Sequence, residues 1–261
     1  MGLIGNSNFS RLALFFEQNK NCFPQVNLLG LKDNIGRDNI SHYEFNILFM
    51  QISWKGQRCI YISAQRLKSD PVSLVIDPVS DGSGLKMSSV DTNILLSTIG
   101  KIDIDNKTIK GEPFVIDGPG EYEIKDIFIR GIDLKNDSGK ERNTVYVIDA
   151  EDMVLCHLGA INKKELTAVE IEKIGDVDIL IIPVGGKTTI NGDVARKIIS
   201  QIEPKLIIPV SYQLPQLKED IDPVDSFLKV MGVKAPETIN KLTIKSKDLP
   251  AEDNRVVVLT I

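Results

Sequence analysis

Few side chains in this 261-residue chain have the type and position that chemistry needs. His157 is the one histidine after His42 and stands in the segment CHLGA, where its imidazole is a candidate metal ligand or general base. Asp77 closes the apolar run SLVID. Asp103 and Asp105, spaced by two, would share one side of an extended segment and together could hold a hard divalent cation through oxygen. Ser211, in PVSY, is a candidate nucleophile that only His157 could activate. Each residue also has a plainer role. His157 reads as a strand-end imidazole satisfied by backbone, Asp77 as a turn former before Pro78, and the other two aspartates as solvated loop carboxylates.

Two further segments carry chemical suggestions that the residues do not sustain. VGGKTT (184–189) looks like a phosphate loop, but that pattern demands a glycine where Ile181 stands. GPGEYEI (118–124) reads as a tight turn into a strand, with Glu121 and Glu123 on one face and Tyr122 and Ile124 on the other.

These residues must be positioned by a strand-rich scaffold. Short β-branched runs bounded by turn residues predict strands at Arg58–Ser63, Ser73–Asp77, Asn93–Ser97, Pro113–Ile116, Glu121–Ile124, Ile127–Ile132 and Thr144–Ile148. The second half alternates strands (Met153–Cys156, Asp178–Ile182, Lys205–Val210) with helical patterns at Lys163–Ile174 and Gly192–Gln201. A helix at Pro223–Met231 and strands at Lys241–Lys245 and Arg255–Ile261 close the chain. The order suits an α/β fold of two mixed sheets between helices. Residues 50–261 are expected to form one domain.

The first 49 residues differ in kind, holding six of the nine phenylalanines and many asparagines without regular periodicity. They are expected to be an extension, either disordered or the product of an upstream start codon.

Composition narrows the function classes. With 42% apolar residues the chain can fill a core, and 31 basic against 36 acidic residues give a net charge of -5 with no basic block, which disfavours a nucleic-acid surface. Cys22, Cys59 and Cys156 form no C-x-x-C pair, so a reducing cytoplasm is the expected home. No apolar run reaches the roughly 20 residues of a bilayer span, and Leu12–Phe16 is too short for a signal peptide, so no membrane role is expected.

The segments MQISWKGQRCIYI (50–62), SLVIDP (73–78), PFVIDGPGEYEI (113–124), VLCHLGA (154–160), DILIIPVGGKTTI (178–190) and IIPVSY (207–212) together resemble the minimal metallo-β-lactamase-fold hydrolases. The resemblance implies an αββα sandwich and a zinc site. It places a His-x-His-x-Asp-His run where this chain has Thr98, Gly100, Ile102 and Asp103. It also places an aspartate at Ala160 and histidines at Ser211 and Asn136. Neutral oxygens and side chains without donors bind zinc far more weakly than imidazole.

From these departures, no resident cofactor and no metal ligands are expected, and the chain reads as a pseudoenzyme that binds or scaffolds. Its partner is unknown; a second copy of itself or an active relative fits this role. The alternative is a hydrolase with an oxygen-rich metal site formed by Asp77, Asp103, Asp105 and His157. A third reading has the chain assemble through exposed apolar surface, with the phenylalanine-rich segment as a docking peptide.

Overall fold

β-branched runs punctuated by glycine and aspartate turns become the strands of two mixed sheets in the computed structural model. It describes residues 48–65, 70–80, 82–100, 108–137, 139, 142–252 and 254–261. Asn46–Ile261 forms one compact unit. The expected N-terminal extension, apart from its last two residues, and the candidates Asp103 and Asp105 lie outside the described residues.

The chain opens with β1 (Phe49–Gly56) and β2 (Cys59–Gln65), an antiparallel hairpin whose turn residue Gln57 has φ 47°. There follow β3 (Val72–Ile76), β4 (Val90–Asp91), β5 (Ile94–Leu96), β6 (Ile109–Lys110) and β7 (Phe114–Ile116). Then come β8 (Gly120–Ile124), β9 (Ile127–Asp133), β10 (Thr144–Ala150) and β11 (Met153–His157), an antiparallel meander. From β11 onward strands alternate with helices: α1 (Ala168–Ile174), β12 (Ile179–Pro183), α2 (Gly192–Ile202), β13 (Leu206–Val210) and α3 (Val224–Met231). The last strands are β14 (Glu237–Ile239), β15 (Leu242–Ile244) and β16 (Arg255–Leu259).

One sheet has the order β15-β1-β2-β3-β5-β7 and the other β14-β16-β13-β12-β11-β10-β9-β8, while β4 and β6 pair separately. The expected α/β sandwich of two mixed sheets is present. Its apolar core runs between them and includes Trp54 and Tyr146, each at most 1% exposed. Tyr146 joins the two layers, its hydroxyl donating to the carbonyl of Ser97 at 2.8 Å. Burial pushes that phenol above its ordinary pKa, so it stays a donor. The indole of Trp54 packs on Tyr212 with ring centroids 4.4 Å apart.

The predicted elements differ from the observed ones mainly at their ends, while β1, β4, β6 and β14 are strands beyond those predicted. The first helix starts at Ala168 rather than Lys163 because Thr167 caps it. The Thr167 side chain accepts from Glu170 N, and Glu170 Oε2 accepts from Thr167 N at 2.8 Å. Glu121 and Glu123 are exposed while Tyr122 and Ile124 are half-buried, as the two-residue period requires. Cys59 and Cys156 are buried free thiols, and burial pushes both up to about 12. Among the described residues no helix is long and apolar enough to cross a membrane.

Candidate functional site

The carboxyl ends of strands from both sheets converge on the β1–β2 turn. Asp77 follows β3 with φ 46°, a left-handed conformation that aspartate tolerates better than most residues. Its backbone N–H donates to the carbonyl of Leu96 at 2.9 Å. Its Oδ1 accepts from Thr98 N at 2.8 Å, and its Oδ2 accepts from Thr98 Oγ1 at 2.5 Å and from Arg58 Nε at 3.1 Å. Asp77 is 8% exposed and Thr98 0%, so this is a charged cluster taken out of water whose one cation is Arg58.

His157 ends β11 and is fully buried. Its Nδ1 accepts from Gly159 N at 3.0 Å, which assigns the proton to Nε2, and Nε2 donates to the carbonyl of Arg58 at 3.0 Å. Burial lowers its pKa and outweighs the Asp77 carboxylate, which favours the charged form. The imidazole is therefore neutral with both nitrogens engaged. The fold excludes a proton that the unfolded chain accepts below about 6.5, so this contribution to stability is complete above that pH and is lost as pH falls below it. The urea midpoint is expected to decline as pH falls below about 6.5, and His157→Gln, uncharged throughout, to remove part of that slope.

Ser211, at the end of β13, has φ 53°. Its N–H donates to the carbonyl of Gln57 at 2.9 Å, while its buried Oγ has no hydrogen-bond partner among the described residues. With both His157 nitrogens committed elsewhere, the Ser211–His157 nucleophile–base pair is not formed. Asn143 Oδ1 accepts from Ala160 N at 2.7 Å and Asn143 Nδ2 donates to the carbonyl of Leu158 at 3.1 Å, so this amide holds the loop after β11. Asn136 Oδ1 accepts from Asn162 N at 2.8 Å, bracing the same loop.

The candidates Asp77, His157 and Ser211 thus meet at one turn, Gln57–Arg58, which none of them contacts in sequence. Arg58 and Asn143 were not foreseen. A buried aspartate calls for a cation, but nothing local says which of the many basic residues supplies it. The cavity at this centre, lined by Gln57, Arg58, Thr189 and Ser211 among others, measures about 10 Å³, room for about one water.

A model of the β-lactamase superfamily domain matches residues 51–211 of this chain. The chain belongs to the β-lactamase superfamily. A superfamily structure from Thermotoga maritima, described as a putative Zn-dependent hydrolase of the metallo-β-lactamase superfamily, is 29% identical. The likeness covers 80% of this chain and 98% of that one with a TM-score of 0.66. A UPF0173 metal-dependent hydrolase from Pyrococcus horikoshii is 23% identical over 128 residues, 47% of this chain and 56% of the relative, so the match spans little more than half of that protein. Igni18, a metallo hydrolase from Ignicoccus hospitalis, shares the fold at 16% identity, with 76% and 99% of the two chains covered and a TM-score of 0.55.

These relatives correct the expectation of no cofactor, because they are described as metal-dependent or Zn-dependent hydrolases and so point to a metal. The described residues at the centre do not fit one. Both Asp77 oxygens and both His157 nitrogens are already bonded, and Thr98, Ala160 and Ser211 offer at most neutral hydroxyls. Among the described residues no group of three or more His, Cys, Asp or Glu side chains converges on a metal position.

Proposed function

We propose that this chain is a binding member of the superfamily whose strand-end centre is structural rather than hydrolytic. The observation that carries this reading is the closed Arg58–Asp77–Thr98 cluster. The carboxylate is consumed by a guanidinium and a threonine, and the cavity lined by Gln57, Arg58 and Ser211 measures only about 10 Å³. His157, the one histidine at this centre, has both ring nitrogens bonded to backbone, Nε2 to the Arg58 carbonyl and Nδ1 to Gly159 N.

The relatives favour a second reading, a metal-dependent hydrolase of unusual donor set. In that reading Asp77 would exchange Arg58 for a metal, with Asp103 and Asp105 as further oxygen donors.

Untagged protein, stripped and then reloaded singly with zinc, manganese, iron or magnesium, separates the two. The assay uses a chromogenic β-lactam, an aryl phosphodiester and a lactone. The first reading expects turnover equal to buffer with every metal. Metal-stimulated turnover that Asp77→Asn abolishes, in a variant with unchanged circular dichroism, would overturn it and establish the hydrolase.

A further inference from the structure

The outer face of the larger sheet presents an exposed aromatic between carboxylates. The ladder pairs Glu123 of β8 with Phe128 of β9, and Phe128 with Asp149 of β10. Residues directly opposite in antiparallel strands share a face, so a carboxylate flanks Phe128 on each side at cross-strand distance. Phe128 is 55% exposed, one of five large apolar side chains more than half exposed among the described residues. The next pair on this face sets Glu121 opposite Arg130.

Arg130 does not neutralise this surface freely. Its Nη1 donates to the carbonyl of Lys173 at 2.7 Å and its Nη2 to that of Ile174 at 3.1 Å, so the guanidinium is committed to the carboxyl end of α1. Asp176 lines the same groove, whose volume is about 440 Å³. Among the described residues no lysine or arginine forms an ion pair with Glu121, Glu123, Asp149 or Asp176.

The geometry points to a docking groove for a cationic polypeptide segment, with an arginine or lysine of the partner laid on the Phe128 ring between Glu123 and Asp149. An aromatic face attracts a cation, and carboxylates on both sides supply the opposite charge. A polypeptide is favoured over a small polyamine for two reasons. The groove exceeds the size of one amine, and β8 is the terminal strand of its sheet among the described residues, so an extended segment can pair along it. This site shares no residue with the Arg58–Asp77 cluster and does not depend on the function assigned there.

The test is fluorescence anisotropy with a short labelled oligo-arginine peptide, in low salt and at physiological ionic strength. Wild type is expected to bind saturably. Phe128→Ala, which removes an exposed ring and so spares the core, should weaken binding about threefold to fivefold. Glu123→Gln combined with Asp149→Asn should weaken it further and flatten the salt dependence. Asp220→Asn, on a distant exposed loop, should bind as wild type does. Equal affinity of Phe128→Ala and wild type would overturn the proposal, since charge alone would then explain binding. So would absence of saturable binding, or displacement of the peptide by spermine at matched charge.

Discussion

Asp77→Ala is expected to lower the melting temperature by roughly 10 °C, a loss of about 3–4 kcal/mol in a domain of this size. The carboxylate is 8% exposed and receives three hydrogen bonds, two from Thr98 and one from Arg58. Its removal leaves a fully buried Thr98 N–H without its acceptor and a guanidinium without its counter-charge. Arg58→Ala should cost less, about 1–2 kcal/mol, because that side chain is 22% exposed and water can partly replace it. Urea midpoints with unchanged slopes measure both. A carboxylate kept for an ion rather than for the fold would give the opposite result: Asp77→Ala neutral or stabilising in metal-free protein, since removing a functional charge relieves its burial cost. The comparison therefore weighs the two functional readings without any substrate.

Gly159→Ala should be comparably damaging, at about 3–4 kcal/mol. Gly159 has φ 65°, and a Cβ there would lie 2.6 Å from Asn143 Oδ1 and 2.6 Å from Thr98 Cβ. Neither neighbour can yield, because Asn143 is anchored at both ends of its amide and Thr98 is clamped to Asp77. Gly232→Ala supplies the control: its φ is 73°, but nothing lies within 4 Å of the added carbon, so it carries only the backbone cost of about 1–2 kcal/mol. Equal urea midpoints for the two variants would show that the site tolerates the methyl and that the packing around Thr98 is loose.

Much of the scaffold was legible because its strands are continuous apolar runs. β12 and β13 (ILIIP and LIIPV) are buried at every position, as strands covered on both faces must be. The capping pair Thr167 and Glu170 was also written in the chain, and reading it would have moved the helix start to its observed place. β14 escaped notice because Glu237–Ile239 is three residues long with two exposed, too brief for any period to show.

At the site, Asp77, His157 and Ser211 could be singled out by type. Their shared dependence on Gln57–Arg58 could not, since the Arg58 carbonyl meets His157 across 99 residues. Such contacts are set by how two sheets stack, which no local pattern encodes.

The pairing of β1 with β15 bears on how the chain is made. Met50 lies opposite Ile244 and Ile52 opposite Leu242, so one flank of β1 is closed by a strand that leaves the ribosome about 190 residues later. At about 5–20 residues per second the nascent hairpin waits roughly 10–40 s with an open, apolar edge. The β1–β2 hairpin is therefore expected to be exposed to aggregation during synthesis, and slowing translation before residue 242 should lower the yield of folded protein.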